Sequence, residues 1–128
     1  MSILVNLALI AGGGACGAVS RFLLAGWLVR TFPMRFPIGT FVVNTLGSLL
    51  IGLLLGAGLE DTGWWFLLAV GFMGAFTTFS TFKYEGFTLL KSSDVYGLLF
   101  YLGGSYTLGI VLAWLGLWIG QDLMAGWQ

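Results

Sequence analysis

Residues Gly71 to Phe82 read G-F-M-G-A-F-T-T-F-S-T-F, and this stretch decides the fold. It lies inside a long apolar segment, yet it carries Thr77, Thr78, Ser80 and Thr81 within five residues. Phe72, Phe76, Phe79 and Phe82 follow one another at spacings of 4, 3 and 3. On a continuous helix that spacing places all four rings on one face. Hydroxyl groups in hydrocarbon are costly unless they meet a partner or a water-filled path. The stretch therefore reads as the lining of a path through a membrane.

Working outward, the composition agrees. Of 128 residues 59% are apolar and only 8% charged, with a mean hydropathy of +1.00. Soluble domains carry roughly 25% charged residues. A soluble chain of this length could not bury so much apolar surface, so the sequence predicts an all-α integral membrane protein of one domain. Five Lys and Arg balance five Asp and Glu, which leaves no basic patch for nucleic acid. There is no His, removing the commonest metal ligand and general base. The single Cys16 cannot form an internal disulfide and reads as packing. The N-terminal apolar run lacks a charged leader and exceeds signal length, so it is expected to stay as a transmembrane helix.

Four spans are expected, at about 3–29, 38–59, 64–90 and 95–119. The first holds Gly13 and Gly17 in G-x-x-x-G spacing, suited either to generic helix packing or to a dimer seam. It also holds Arg21, which either snorkels to the interface or sits at a pore mouth or structural contact. The second carries Thr40, Asn44 and Ser48 at i, i+4 and i+8, one polar stripe continued by Gly52 and Gly56. The third is too long for one plain helix. Its paired Thr-Thr and Ser-Thr residues compete for backbone hydrogen bonds, and a break is predicted near residues 74–80, giving two half-helices. Such a break is tolerated at membrane depth only when buried in protein or lining a cavity, and it frees carbonyls that can hold a cation. The fourth carries Tyr101 and Ser105 one turn apart, with Tyr106 adjacent. Arg30, Arg35 and Lys91 weight the first and third loops toward the cytoplasm.

The chemistry on offer is that of neutral donors. Glu60 and Asp61 are loop neighbours and not a spaced acid–base pair, and no Ser has a His partner. Side-chain ligands for a divalent metal are missing from the spans. Present instead are one Asn amide, several hydroxyls, two phenols and phenylalanine edges, which carry the positive part of the ring quadrupole. That set suits a small anion that must be held briefly and released.

The sequence resembles the Fluc fluoride channels over its whole length. The resemblance rests on G-x-x-x-R-F (Gly17, Arg21, Phe22), on G-T-F-x-V-N-x-x-G (Gly39 to Gly47) and on the third-span stretch from Gly71 to Phe82. It implies four spans per subunit in an antiparallel, dual-topology homodimer with two fluoride pathways and a structural sodium ion, in the cell inner (plasma) membrane. It further implies that Phe79 and Phe82 meet fluoride with their ring edges and that Asn44 lines the pore. Ser80 and Thr81, with Thr40, Tyr101 and Ser105, would form a polar track. Arg21 would act at the pore entrance, and the carbonyls of Gly74 and Thr77 would hold sodium. Dual topology sits against the three-charge loop bias, and the motif outweighs it.

Two other readings compete. A small proton-coupled four-span exporter needs a membrane-embedded carboxylate; only Glu85 approaches that, and Lys83 two residues earlier places it at the interface. A non-transporting membrane subunit would use the glycine seams for docking, but leaves the Asn and hydroxyl cluster unexplained.

Overall fold

The computed structural model describes residues 2–127. α1 runs Ile3–Thr31 and α2 Ile38–Gly56; a π-helix over Trp65–Met73 runs into a single turn, α3, at Gly74–Phe76; α4 spans Ser80–Lys91 and α5 Val95–Ala125. Among the described residues there is no β-strand. Among the described residues four segments are long and apolar enough to cross a membrane, the third being the composite Trp65–Lys91. The chain is a multi-pass membrane protein by this measure.

The ends follow local chemistry. Ser2 caps α1 by accepting from the Val5 N–H at 3.3 Å, and Asp94 caps α5 by accepting from the Gly97 N–H at 2.9 Å, each satisfying a donor that the first turn leaves free. Between α4 and α5 the turn needs Ser93 at φ 60, a left-handed position that a short polar residue tolerates better than a branched one.

Helix packing is set by glycines that admit a neighbouring backbone. A Cβ on Gly13 or Gly17 would collide with the backbone of Leu67 or Phe72, and one on Gly71 would come within 2.7 Å of the Ile10 carbonyl. The G-x-x-x-G of α1 therefore serves contact within the chain, against the π-helix. Likewise Gly52 and Gly56 receive the backbone of α5 at Ala113 and Leu117. In lipid this close approach is what holds helices together, since hydrocarbon is as apolar as the side chains.

The third span is interrupted over residues 77–79, within the predicted window. The interruption divides the interior in two. Before it, Met73 and Phe76 pack with Val43, flanked by Leu24, Leu46 and Phe72. After it, Phe82 and Leu89 pack with Tyr101, flanked by Phe36 and Phe41. The single phenylalanine face expected from spacing is not formed. Phe72 and Phe76 stack at 5.5 Å as one pair, Phe79 and Phe82 at 6.1 Å as another. A face defined by 3.6-residue periodicity ends where the helix ends.

The outer faces are apolar. Leu4, Phe22, Phe100, Ile110 and Trp114 are all more than two-thirds exposed, far more than a monomer in water sustains. Cys16 also faces outward, where the sequence placed it in packing.

Candidate functional site

The centre of the site is the peptide unit at Thr78. Asn44 Nδ2 donates to the Thr78 carbonyl at 2.8 Å, and the Thr78 N–H donates to Asn44 Oδ1 at 2.9 Å. One carboxamide thereby replaces both helical partners of Thr78. The carboxamide keeps one N–H and one lone pair free for another partner.

This substitution has a consequence for two carbonyls. In a continuous helix the Thr78 N–H would return to the Gly74 carbonyl, but it goes to Asn44. The Thr81 N–H would return to Thr77; it donates instead to Thr78 Oγ1 at 3.2 Å, just ahead of α4. Gly74 and Thr77 therefore lose their helical i+4 donors. These are the positions expected to hold sodium, and two such released carbonyls suit a hard monovalent cation that takes neutral oxygens. Gly74 is exposed, with nothing near its Cα hydrogen, and Thr77 is half-buried with its hydroxyl donating to Met73.

Three cavities meet at the break. One, of about 590 Å³, is lined by Arg21, Arg30, Thr40, Thr78, Thr81 and Glu85 among apolar neighbours. A second, of about 410 Å³, is lined by Asn44, Ser48, Gly74, Thr77, Thr78 and Phe79. The third, of about 290 Å³, includes Phe79, Phe82, Lys83 and Tyr106. Thr78 is shared by the first two, and Phe79 by the last two. Arg21 thus lines a cavity with Thr40 and Thr81.

Around the rings, Phe82 is buried and Phe79 is 64% exposed. Phe82 lies 5.0 Å from the Tyr101 ring and 5.8 Å, edge to face, from Tyr106. The Tyr101 hydroxyl and Ser105 Oγ are buried without any hydrogen-bond partner. Two unpartnered hydroxyls one turn apart are costly unless something is meant to meet them. Ser80 Oγ lies 3.4 Å from Thr78 Oγ1 and is otherwise exposed. Ser48 lines the second cavity while donating to the Asn44 carbonyl of its own helix.

Glu85 has a partner that its sequence neighbours do not reveal. It is half-buried and accepts from Thr40 Oγ1 at 2.7 Å, so it joins the site. The partner lies 45 positions earlier, so adjacency to Lys83 gives no hint of it.

The geometry thus gathers Asn44, Thr40, Thr78, Ser80, Thr81, Phe79 and Phe82 around one helix break, with Tyr101 packed beside Phe82. Residues 8–117 match the family described as CrcB-like protein, Camphor Resistance (CrcB). The chain belongs to the CrcB family. Curated relatives in that family include the "Fluoride-specific ion channel FluC 2" of Bacillus thuringiensis subsp. konkukian, 44% identical over 91% of this chain and 98% of the relative. The "Fluoride-specific ion channel FluC 1" of Geobacillus kaustophilus is 45% identical, over 88% and 95%. That of Leptospira interrogans, "Fluoride-specific ion channel FluC", is 44% identical over 93% and 97%. These CrcB relatives match nearly end to end, as the resemblance to Fluc channels implies. They are named as ion channels and not as enzymes.

Proposed function

We propose that this chain is a fluoride-selective channel that lets the ion leave the cell passively, down its electrochemical gradient, and so limits fluoride toxicity. The observation that carries this reading is the Asn44–Thr78 pair, which holds a helix break open beside Phe79 and Phe82. A broken backbone at membrane depth brings polar donors to an otherwise apolar interior. Fluoride would pass from the cavity of Arg21 and Thr40, past Thr78 and Thr81, to the edges of Phe79 and Phe82. Tyr101 and Ser105 offer it unpaired hydroxyls on the way. Neutral donors exchange the hydration shell for contacts weak enough to release the ion. The names of the CrcB relatives support the choice of fluoride.

The working form would be an antiparallel, dual-topology homodimer with two pores in the lipid bilayer of the inner membrane. Supporting this, Phe79, Gly74 and Ser80 lie at the surface of a single copy, so a lone chain leaves the path without one wall. The Gly74 and Thr77 carbonyls would hold a structural sodium ion, which would supply a fixed positive charge at the break and screen the carbonyl dipoles from the anion.

One observation favours a second reading. Glu85 is a half-buried carboxylate in a span, the group that a proton-coupled exporter needs. Reconstitution into liposomes separates the two: a channel gives fast electrogenic fluoride flux without a proton gradient, an exporter gives proton-coupled turnover.

A further inference from the structure

Lys83 is a full charge inside the third span, eight residues before its end at Lys91, a distance of about 12 Å along the helix. A lysine so placed would ordinarily snorkel toward the nearer interface. Its ammonium instead lies over the face of Phe79, with Nζ 5.6 Å from the ring centroid. Phe79 is one turn back, at the break, so the contact draws the charge inward. Helix geometry allows it, because residues i and i+4 are neighbours and side chains lean toward the N-terminus. The nearest carboxylate in sequence, Glu85, is engaged by Thr40. Lys83 also lines the cavity of Phe79, Phe82 and Tyr106.

We propose that Lys83 is a positioning residue for anion passage, acting through the Phe79 ring. A ring has a negative face and a positive edge. A cation on the face is attracted by the quadrupole and pulls electron density toward itself, leaving the edge hydrogens more positive. The same contact holds the ring in one orientation. The ammonium does not touch the ion; it strengthens the edge that does, and a cation kept behind a ring cannot trap the anion as direct pairing would. This inference rests on the fluoride reading of the site.

The test uses the full chain in liposomes with a fluoride electrode. Lys83→Gln is expected to lower fluoride flux about two- to fivefold, the range of an exposed cation–π contact converted to a rate, and Lys83→Arg to restore most of it. In a Phe79→Ile background, Lys83→Gln should change flux less than about 1.5-fold, since the contact is already lost. A contact readout runs beside the flux. The chain has two lysines, Lys83 and Lys91, and reductive methylation with a carbon-13 label keeps their charge. Phe79→Ile should move the Lys83 methyl resonance and leave that of Lys91, which sits over Phe87 at 5.4 Å. Unchanged flux in Lys83→Gln, an equal drop with and without Phe79, failure of Lys83→Arg to restore flux, or an unmoved Lys83 resonance would each overturn the proposal. Absence of fluoride flux in the unmutated protein would instead overturn the channel reading beneath it.

Discussion

Asn44 and Thr78, 34 positions apart, exchange two hydrogen bonds of 2.8 and 2.9 Å between one side chain and one peptide unit. This pair explains why the third span can stop and restart at membrane depth. Without it, the N–H and C=O of Thr78 would lose their partners in a medium that offers none. Asn44→Ala is expected to cost about 2–4 kcal/mol, one desolvated group for each lost bond. Thermal unfolding in detergent should show it as a lowered midpoint, with fluoride flux lost.

The glycines of α1 give a test of packing independent of transport. Gly17→Ala puts a methyl into the Phe72 backbone, which cannot move aside as a side chain could. It is expected to destabilise by about 1–3 kcal/mol. Gly12→Ala, which meets nothing within 4 Å, should lie within about 0.5 kcal/mol of the parent. A melting series in detergent distinguishes the two; equal effects would mean the α1 contact is looser than described.

The stacked pair Phe79 and Phe82 has two separable roles. Phe82 is buried against Tyr101, whereas Phe79 is mostly exposed. Phe79→Ile should therefore cut fluoride flux with little change in thermal midpoint. Phe82→Ile should lower flux and also cost stability, by about 1–2 kcal/mol for the smaller apolar contact. Chemical cross-linking should show the dimer intact in both, and unchanged flux in both would reduce the rings to packing.

Glu85 accepts from Thr40 without any need for its charge. Glu85→Gln keeps an acceptor for that hydroxyl and removes the proton a carrier would trade. Fluoride flux is expected to fall by no more than about tenfold, the difference between a charged and a neutral hydrogen bond. It should remain electrogenic. Complete loss of flux together with loss of proton coupling would favour the exporter.

If the Gly74 and Thr77 carbonyls hold sodium, prolonged dialysis into a bulky organic cation should lower both the thermal midpoint and the dimer fraction, and sodium should restore them. Insensitivity to sodium would leave the released carbonyls to water.

Much of this was legible in the residues. The four apolar runs stand out because a membrane span has to be long and uncharged. The break was legible because Thr77, Thr78, Ser80 and Thr81 are poor company for a lipid-facing helix. Asn44 declared itself as an amide in an apolar run, though its partner could not be read from spacing. What was hidden depended on pairs distant in sequence. The place of Glu85 in the site was hidden because its Lys83 neighbour is visible and its Thr40 partner, 45 positions earlier, is not. The phenylalanine face failed because a period only holds while the helix continues. The π-helical turns of Trp65–Met73 leave no mark in residue type, since every side chain there is as well suited to an α-helix.

The most direct measurement is initial anion efflux from liposomes loaded with fluoride and chloride, with and without a potassium ionophore to release the membrane potential. The channel account predicts rapid fluoride loss that requires the ionophore, with chloride retained. Equal loss of both halides, or fluoride loss that needs a proton gradient instead, would contradict it.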